Sequence, residues 1–132
     1  MKRWQFKLAA WIFGAVTVLS GCATTQNMIG KELRQETVPN SKTYFRQVWA
    51  ITAEDGFKVS GKLRLKGSFG HNVPDFVEVA LVDVEGKVIE KQKVVYYPRI
   101  LTGRRKHREA RFTARFDQTP PTGSFIRLSN IN

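Results

Sequence analysis

The chain predicts an all-β fold, a single antiparallel β-sandwich of six or seven strands, on three observations. Two segments alternate strictly: Phe57, Val59, Gly61, Leu63 and Leu65 against Lys58, Ser60, Lys62, Arg64 and Lys66, and Ala110, Phe112, Ala114 and Phe116 against Glu109, Arg111, Thr113 and Arg115. Period two turns one face of a strand toward a core and the other toward water. Turn-forming residues recur at intervals of about ten, the spacing of short strands in a sandwich. Beyond the N-terminal apolar segment, no long stretch carries a helical stripe.

The elements follow in order. Phe45, Trp49 and Ile51 mark a strand near 44–53, with Trp49 on its dry face, and Glu54-Asp55-Gly56 turns it into the strand of 57–66. Residues 76–84 are apolar on both faces apart from Glu78 and Asp83, which suits a central strand. Glu85-Gly86 turns that strand into 87–97, because glycine takes positive φ readily. The strand of 108–117 comes next, then the loop Pro120-Pro121-Thr122-Gly123 and a last strand, 124–130. Trp49, Phe57, Phe112 and Phe116 are assigned to the core, and Tyr96-Tyr97-Pro98-Arg99 to a packing corner at a strand end. Strands of this number and length within residues 43–132 fit an immunoglobulin-like or transthyretin-like topology, with a small barrel as the alternative.

Residues 1–21 have the parts of a secretory signal: basic Lys2, Arg3 and Lys7, an apolar run from Leu8 to Leu19, and small Ser20 and Gly21. As a helix the run reaches about 18 Å against a bilayer core of about 30 Å, too short for a permanent span. Leu19-Ser20-Gly21-Cys22 resembles the lipobox of bacterial lipoproteins. The resemblance covers residues 1–22 only. It implies cleavage before Cys22, lipid on the Cys22 sulfur, and a further acyl chain on the new N-terminus. Each buried methylene contributes about 0.8 kcal/mol, so two or more chains hold a protein firmly to its bilayer. By the same resemblance, to the lipoproteins of enterobacteria, Ala23 in place of an Asp implies export to the outer membrane, facing the periplasm, over retention at the inner membrane. Residues 22–42 read as the lipidated cysteine and a polar tether with a short helical turn around Met28 to Leu33. Fully extended, such a tether spans roughly 65 Å and holds the domain clear of the headgroups. The alternative is that part of it packs on the domain as an edge strand.

Of 132 residues, 111 follow the signal, enough for one domain. Three of the 22 Lys and Arg lie in the signal, which leaves 19 against 11 Asp and Glu, a net charge of +8. Cys22 is the only cysteine, so the domain folds without a disulfide. A positive surface suits lipid phosphates, anionic polysaccharide and peptidoglycan carboxylates. Nucleic acid is not an expected partner of an exported protein.

The cations concentrate at Arg99, Arg104, Arg105, Lys106, Arg108, Arg111 and Arg115, opposed only by Glu109. Guanidinium forks match phosphate and carboxylate. Arg104, Arg105 and Lys106 are placed at a loop tip, with Arg111 and Arg115 on the outward face of the following strand. If that strand neighbours 57–66, then Lys58, Lys62 and Arg64 join them in one surface. His71 and His107 have no partners at metal-ligand spacing, so no metal or cofactor is implied. Neither a nucleophile elbow nor a local triad signature occurs, and catalysis is not expected. The function expected is that of a non-enzymatic accessory or scaffold module, held to the membrane through Cys22 and binding an envelope protein, for instance by edge-strand addition. The alternative is binding of anionic envelope polymer or lipid, peptidoglycan or lipopolysaccharide, through the Arg99–Arg115 surface.

Overall fold

The computed structural model describes residues 26–67, 72–102 and 107–132. Seven strands occupy them: β1 (Arg34–Thr37), β2 (Thr43–Ala53), β3 (Gly56–Leu65), β4 (Phe76–Val82), β5 (Val88–Tyr97), β6 (Glu109–Phe116) and β7 (Phe125–Ile131). They form one mostly antiparallel sheet in the order β1-β7-β4-β5-β6-β3-β2, rolled into a nearly closed, barrel-like body. The all-β expectation holds, and β2 to β7 lie within a residue or two of where alternation and turns put them.

The strictest pattern in the sequence sits in the best-paired strand. β3 alternates between buried and half-buried along its length, and Phe57, Val59, Gly61, Leu63 and Leu65 face inward. It is flanked by β2 and β6, both antiparallel. Gly61 lies opposite Phe112, whose ring fills the space where a Cβ would stand, 2.9 Å from that position. Phe112 in turn meets Phe45 edge-on at 5.6 Å.

β2 departs from the expected parity. Its register with β3 shifts between Arg46 and Trp49, where Gln47 takes a positive φ of 50°. This bulge inserts an extra residue and reverses which side chains point inward. Val48 and Ala50 are buried, and Trp49, expected in the core, is 50% exposed on the outer face.

The sheet rolls at β5. Residues 88–95 of that strand pair with β4, and only Tyr96 and Tyr97 pair with β6, at Phe112 and Arg111. The core lies inside the roll, with Val59, Leu63, Val77, Val79, Leu81, Tyr96, Phe112, Ile126 and Leu128 at its centre.

The segment expected as a tether is largely part of the domain. β1 runs parallel to β7, and Leu33, just before it, is 1% exposed. The turn at Met28 to Leu33 is hydrogen-bonded, with the amides of Lys31, Glu32 and Leu33 all donating to the Met28 carbonyl. Ahead of it, Met28 donates its amide to the Ala50 carbonyl at 2.8 Å, and the Asn27 side chain bridges Val48 and Ala50. The chain thus spans the gap between β2 and β1, the two ends of the sheet. Burying Met28, Ile29 and Leu33 and satisfying the free edge of β2 outweigh the freedom of a loose linker. The edge-strand alternative is the one realised.

The link from β1 to β2 is fastened by two asparagines. Asn40 accepts from the amides of Lys42 and Thr43. Asn130, 6% exposed, accepts from the Thr43 hydroxyl at 2.7 Å and donates to the Pro74 and Phe76 carbonyls at 2.9 Å.

A basic, aromatic face on β2, β3 and β6

Pairing of β3 with β6 places the outward residues of three strands in rows. One row reads Arg46, Lys62, Arg111, Tyr97 across β2, β3, β6 and β5. Beside it stand Tyr44, Arg64 and Glu109 on one flank and Trp49, Ser60 and Thr113 on the other, followed by Ile51, Lys58 and Arg115. The condition set by the sequence is met: β6 neighbours β3, and Lys58, Lys62 and Arg64 share a surface with Arg111 and Arg115.

Six cations therefore stand on one sheet face. Glu109 answers two of them, at 3.3 Å from Lys62 and 3.5 Å from Arg64. Asp55, on the β2–β3 turn, lies 4.0 Å from Arg115, with both side chains exposed, so solvent screens that pair. Among the described residues no carboxylate comes within ion-pair distance of Arg46, Lys58 or Arg111. Two shallow depressions flank β6. One, of about 340 Å³, runs between Trp49, Lys62, Arg111 and Thr113. The other, of about 610 Å³, lies where β5 and β6 diverge, between Lys93, Val95, Tyr97, Arg111 and Thr113. Planar guanidinium and ammonium groups beside indole and phenol rings offer charge-assisted bonds to phosphate or carboxylate oxygens and flat apolar contact next to them.

The described residues of the run from Arg99 to Arg115 do not all share one face. Arg111 and Arg115 belong to the face. Arg108 instead ties β6 to the end of β3, donating to the Gly67 carbonyl at 2.6 Å and the Leu65 carbonyl at 3.4 Å. Arg99 donates to the Asp75 carbonyl and lies over the rings of Phe76 and Tyr96. Arg104, Arg105, Lys106, His71 and Cys22 lie outside the described residues. Sequence reasoning missed Arg46 as a member of the face and placed Trp49 in the core. The available signal was the spacing of Phe45, Val48 and Ala50, which steps by three and then two and so marks a bulge.

The packing corner at the end of β5 holds one titratable group with a displaced pKa. Tyr96 is buried, and its hydroxyl donates to the Pro74 carbonyl at 2.9 Å. Burial raises its pKa above the usual 10, Arg99 pulling it back in smaller measure and Asp75 adding to the rise. Tyr97, its neighbour, is 65% exposed and opens the cis Tyr97–Pro98 bond.

No protein-family model, curated protein or solved structure matches this chain.

Proposed function

We propose that this chain is a lipoprotein of the outer membrane, acylated on Cys22 and facing the periplasm, and that it works as a non-enzymatic module binding an anionic envelope ligand. The observation that carries the reading is the grouping of Arg46, Lys58, Lys62, Arg64, Arg111 and Arg115 on one sheet face, answered, among the described residues, only by Glu109 in their midst and by exposed Asp55 at the β2–β3 turn. Like charges set side by side cost stability, so such a surface supports a ligand that neutralises it. Phosphate and carboxylate groups are the anions of the envelope.

The test has two parts. The N-terminal peptide of the mature protein carries the mass of a diacylglyceryl cysteine and an added acyl chain; an unmodified Cys22 removes the anchor. Sedimentation with peptidoglycan or with anionic vesicles weakens steeply as salt is raised, because exposed charges are screened within about 10 Å at 0.1 M. Binding that ignores salt disposes of the electrostatic reading.

A second reading, docking of an envelope protein by strand addition, is favoured by the divergence of β5 from β6. Ladder partners across that seam occur only at Tyr96 and Tyr97, so Lys93 to Val95 turn an edge toward a groove of about 610 Å³, which closes where the Gln92 side chain donates to the Arg115 carbonyl. A photocrosslinking residue at Thr113, on the groove wall, captures a protein partner in intact envelopes if this is so. Absence of any protein adduct sinks the idea.

A further inference from the structure

The chain leaves the domain beside Trp49. Asn27 is held by Val48 and Ala50, the residues on either side of Trp49. From Cys22 to Gln26 is a step of four residues, which reaches about 14 Å at full extension. A domain of this length has a radius of gyration of about 13 Å. An acylated Cys22 sits at the level of the headgroups. So short a link keeps the seam between β2 and β1 within about 14 Å of the leaflet.

Two outer faces meet at that seam, and their charges differ. On β7 and β4, Arg127 is answered by Glu36 at 3.3 Å, and Glu78 lies across from Lys93. On β2, β3 and β6 stand the six cations, with Trp49 half exposed and Tyr44 38% exposed along the β2 edge. Lipid phosphates attract the second face. Tryptophan and tyrosine are the side chains that settle at the headgroup level of a bilayer.

We propose that the protein lies flat on the leaflet that anchors it, with the outer face of β2, β3 and β6 against the lipid phosphates and Trp49 seated among the headgroups. The ligand of the basic face is then the phosphate of the anchoring membrane itself. This rests on the acylated Cys22 and the anion-binding face of the preceding section, and adds the source of the anion.

Trp4 and Trp11 leave with the signal, so Trp49 is the one tryptophan of the mature chain and reports on the face directly. The mature protein, purified with its lipid, is reconstituted into vesicles of phosphatidylethanolamine and phosphatidylglycerol whose acyl chains carry bromine near the headgroup. Trp49 emission is expected to lose intensity against unbrominated vesicles, because an indole seated at the interface lies beside the bromines. In Arg46→Gln/Lys62→Gln/Arg111→Gln most of the emission returns while the acyl chains keep the protein in the vesicle fraction. A long Gly/Ser linker inserted between Thr25 and Gln26 leaves the quenching in place, because the face itself binds; loss of quenching there overturns the proposal. Unquenched Trp49 in a wild-type protein that floats with the vesicles overturns it too. If peptidoglycan fragments then shift the Trp49 emission, the face binds polymer and the reading of the preceding section survives alone. A protein that fails to float because Cys22 bears no lipid removes both.

Discussion

Tyr96 concentrates several physical effects in one side chain. Its ring is buried at the corner where the sheet rolls, and its hydroxyl holds the segment before β4 through the Pro74 carbonyl. Burial keeps the phenol neutral and raises its pKa; the Arg99 guanidinium over the ring opposes this less strongly. In the unfolded chain the same group ionises near pH 10. Its contribution to stability is therefore complete below about pH 10 and is lost as pH rises through the higher folded value, where the unfolded state sheds a proton that the folded state retains. Tyr96→Phe should cost about 1 kcal/mol at neutral pH through the lost hydrogen bond and should flatten the alkaline decline. Urea midpoints of both proteins, followed from neutral to alkaline pH, test this. An equally steep decline in the variant assigns the alkaline sensitivity to other groups.

At the scale of elements, legibility tracks how regular the pairing is. β3 and β6 were readable because each is paired with near-perfect register, so period two in the sequence becomes in-and-out alternation in space. β2 was readable as a strand but not in its parity: one bulge at Gln47 carries Trp49 from core to surface, and with it the aromatic part of the face. β1 has no signature in the sequence, because its four exposed residues, Arg34 to Thr37, carry no pattern of their own. What holds that segment is the turn before it, where Leu33 is buried and its amide bonds to Met28. Leu33→Ala should accordingly destabilise the domain by about 3 kcal/mol, the cost of truncating a leucine in a packed core. A chain beginning at Thr43, the boundary that the sequence suggested, should be less stable than one beginning at Gln26. Equal urea midpoints for the two chains would mean that residues 26–42 add nothing to the fold.

For the whole molecule the informative quantity is where the charge lies, not how much there is. The net excess of cations was countable from the sequence, and part of the candidate site, Arg111 and Arg115 with Lys58, Lys62 and Arg64, followed from one correct strand pairing. The rest was not accessible, because Arg99 and Arg108 are drawn into backbone contacts that only the folded chain creates. The distinction between net charge and face is open to direct measurement. Neutralising Arg46, Lys62 and Arg111 removes three charges from one row of the basic face. Neutralising Lys87, Lys91 and Arg127 removes three from β5, the turn before it and β7, and Arg127 there already faces Glu36. The change in net charge is identical. Each cation near an anionic surface is worth about 1 kcal/mol, so the first triple variant should lose roughly 100-fold in binding of its unlipidated form to anionic vesicles. The second should stay within about threefold of the parent, since none of its cations stands on β2, β3 or β6 and exposed charges are screened beyond a Debye length. Equal losses from both triples would mean that the vesicle senses total charge, and the face on β2, β3 and β6 would have no special standing.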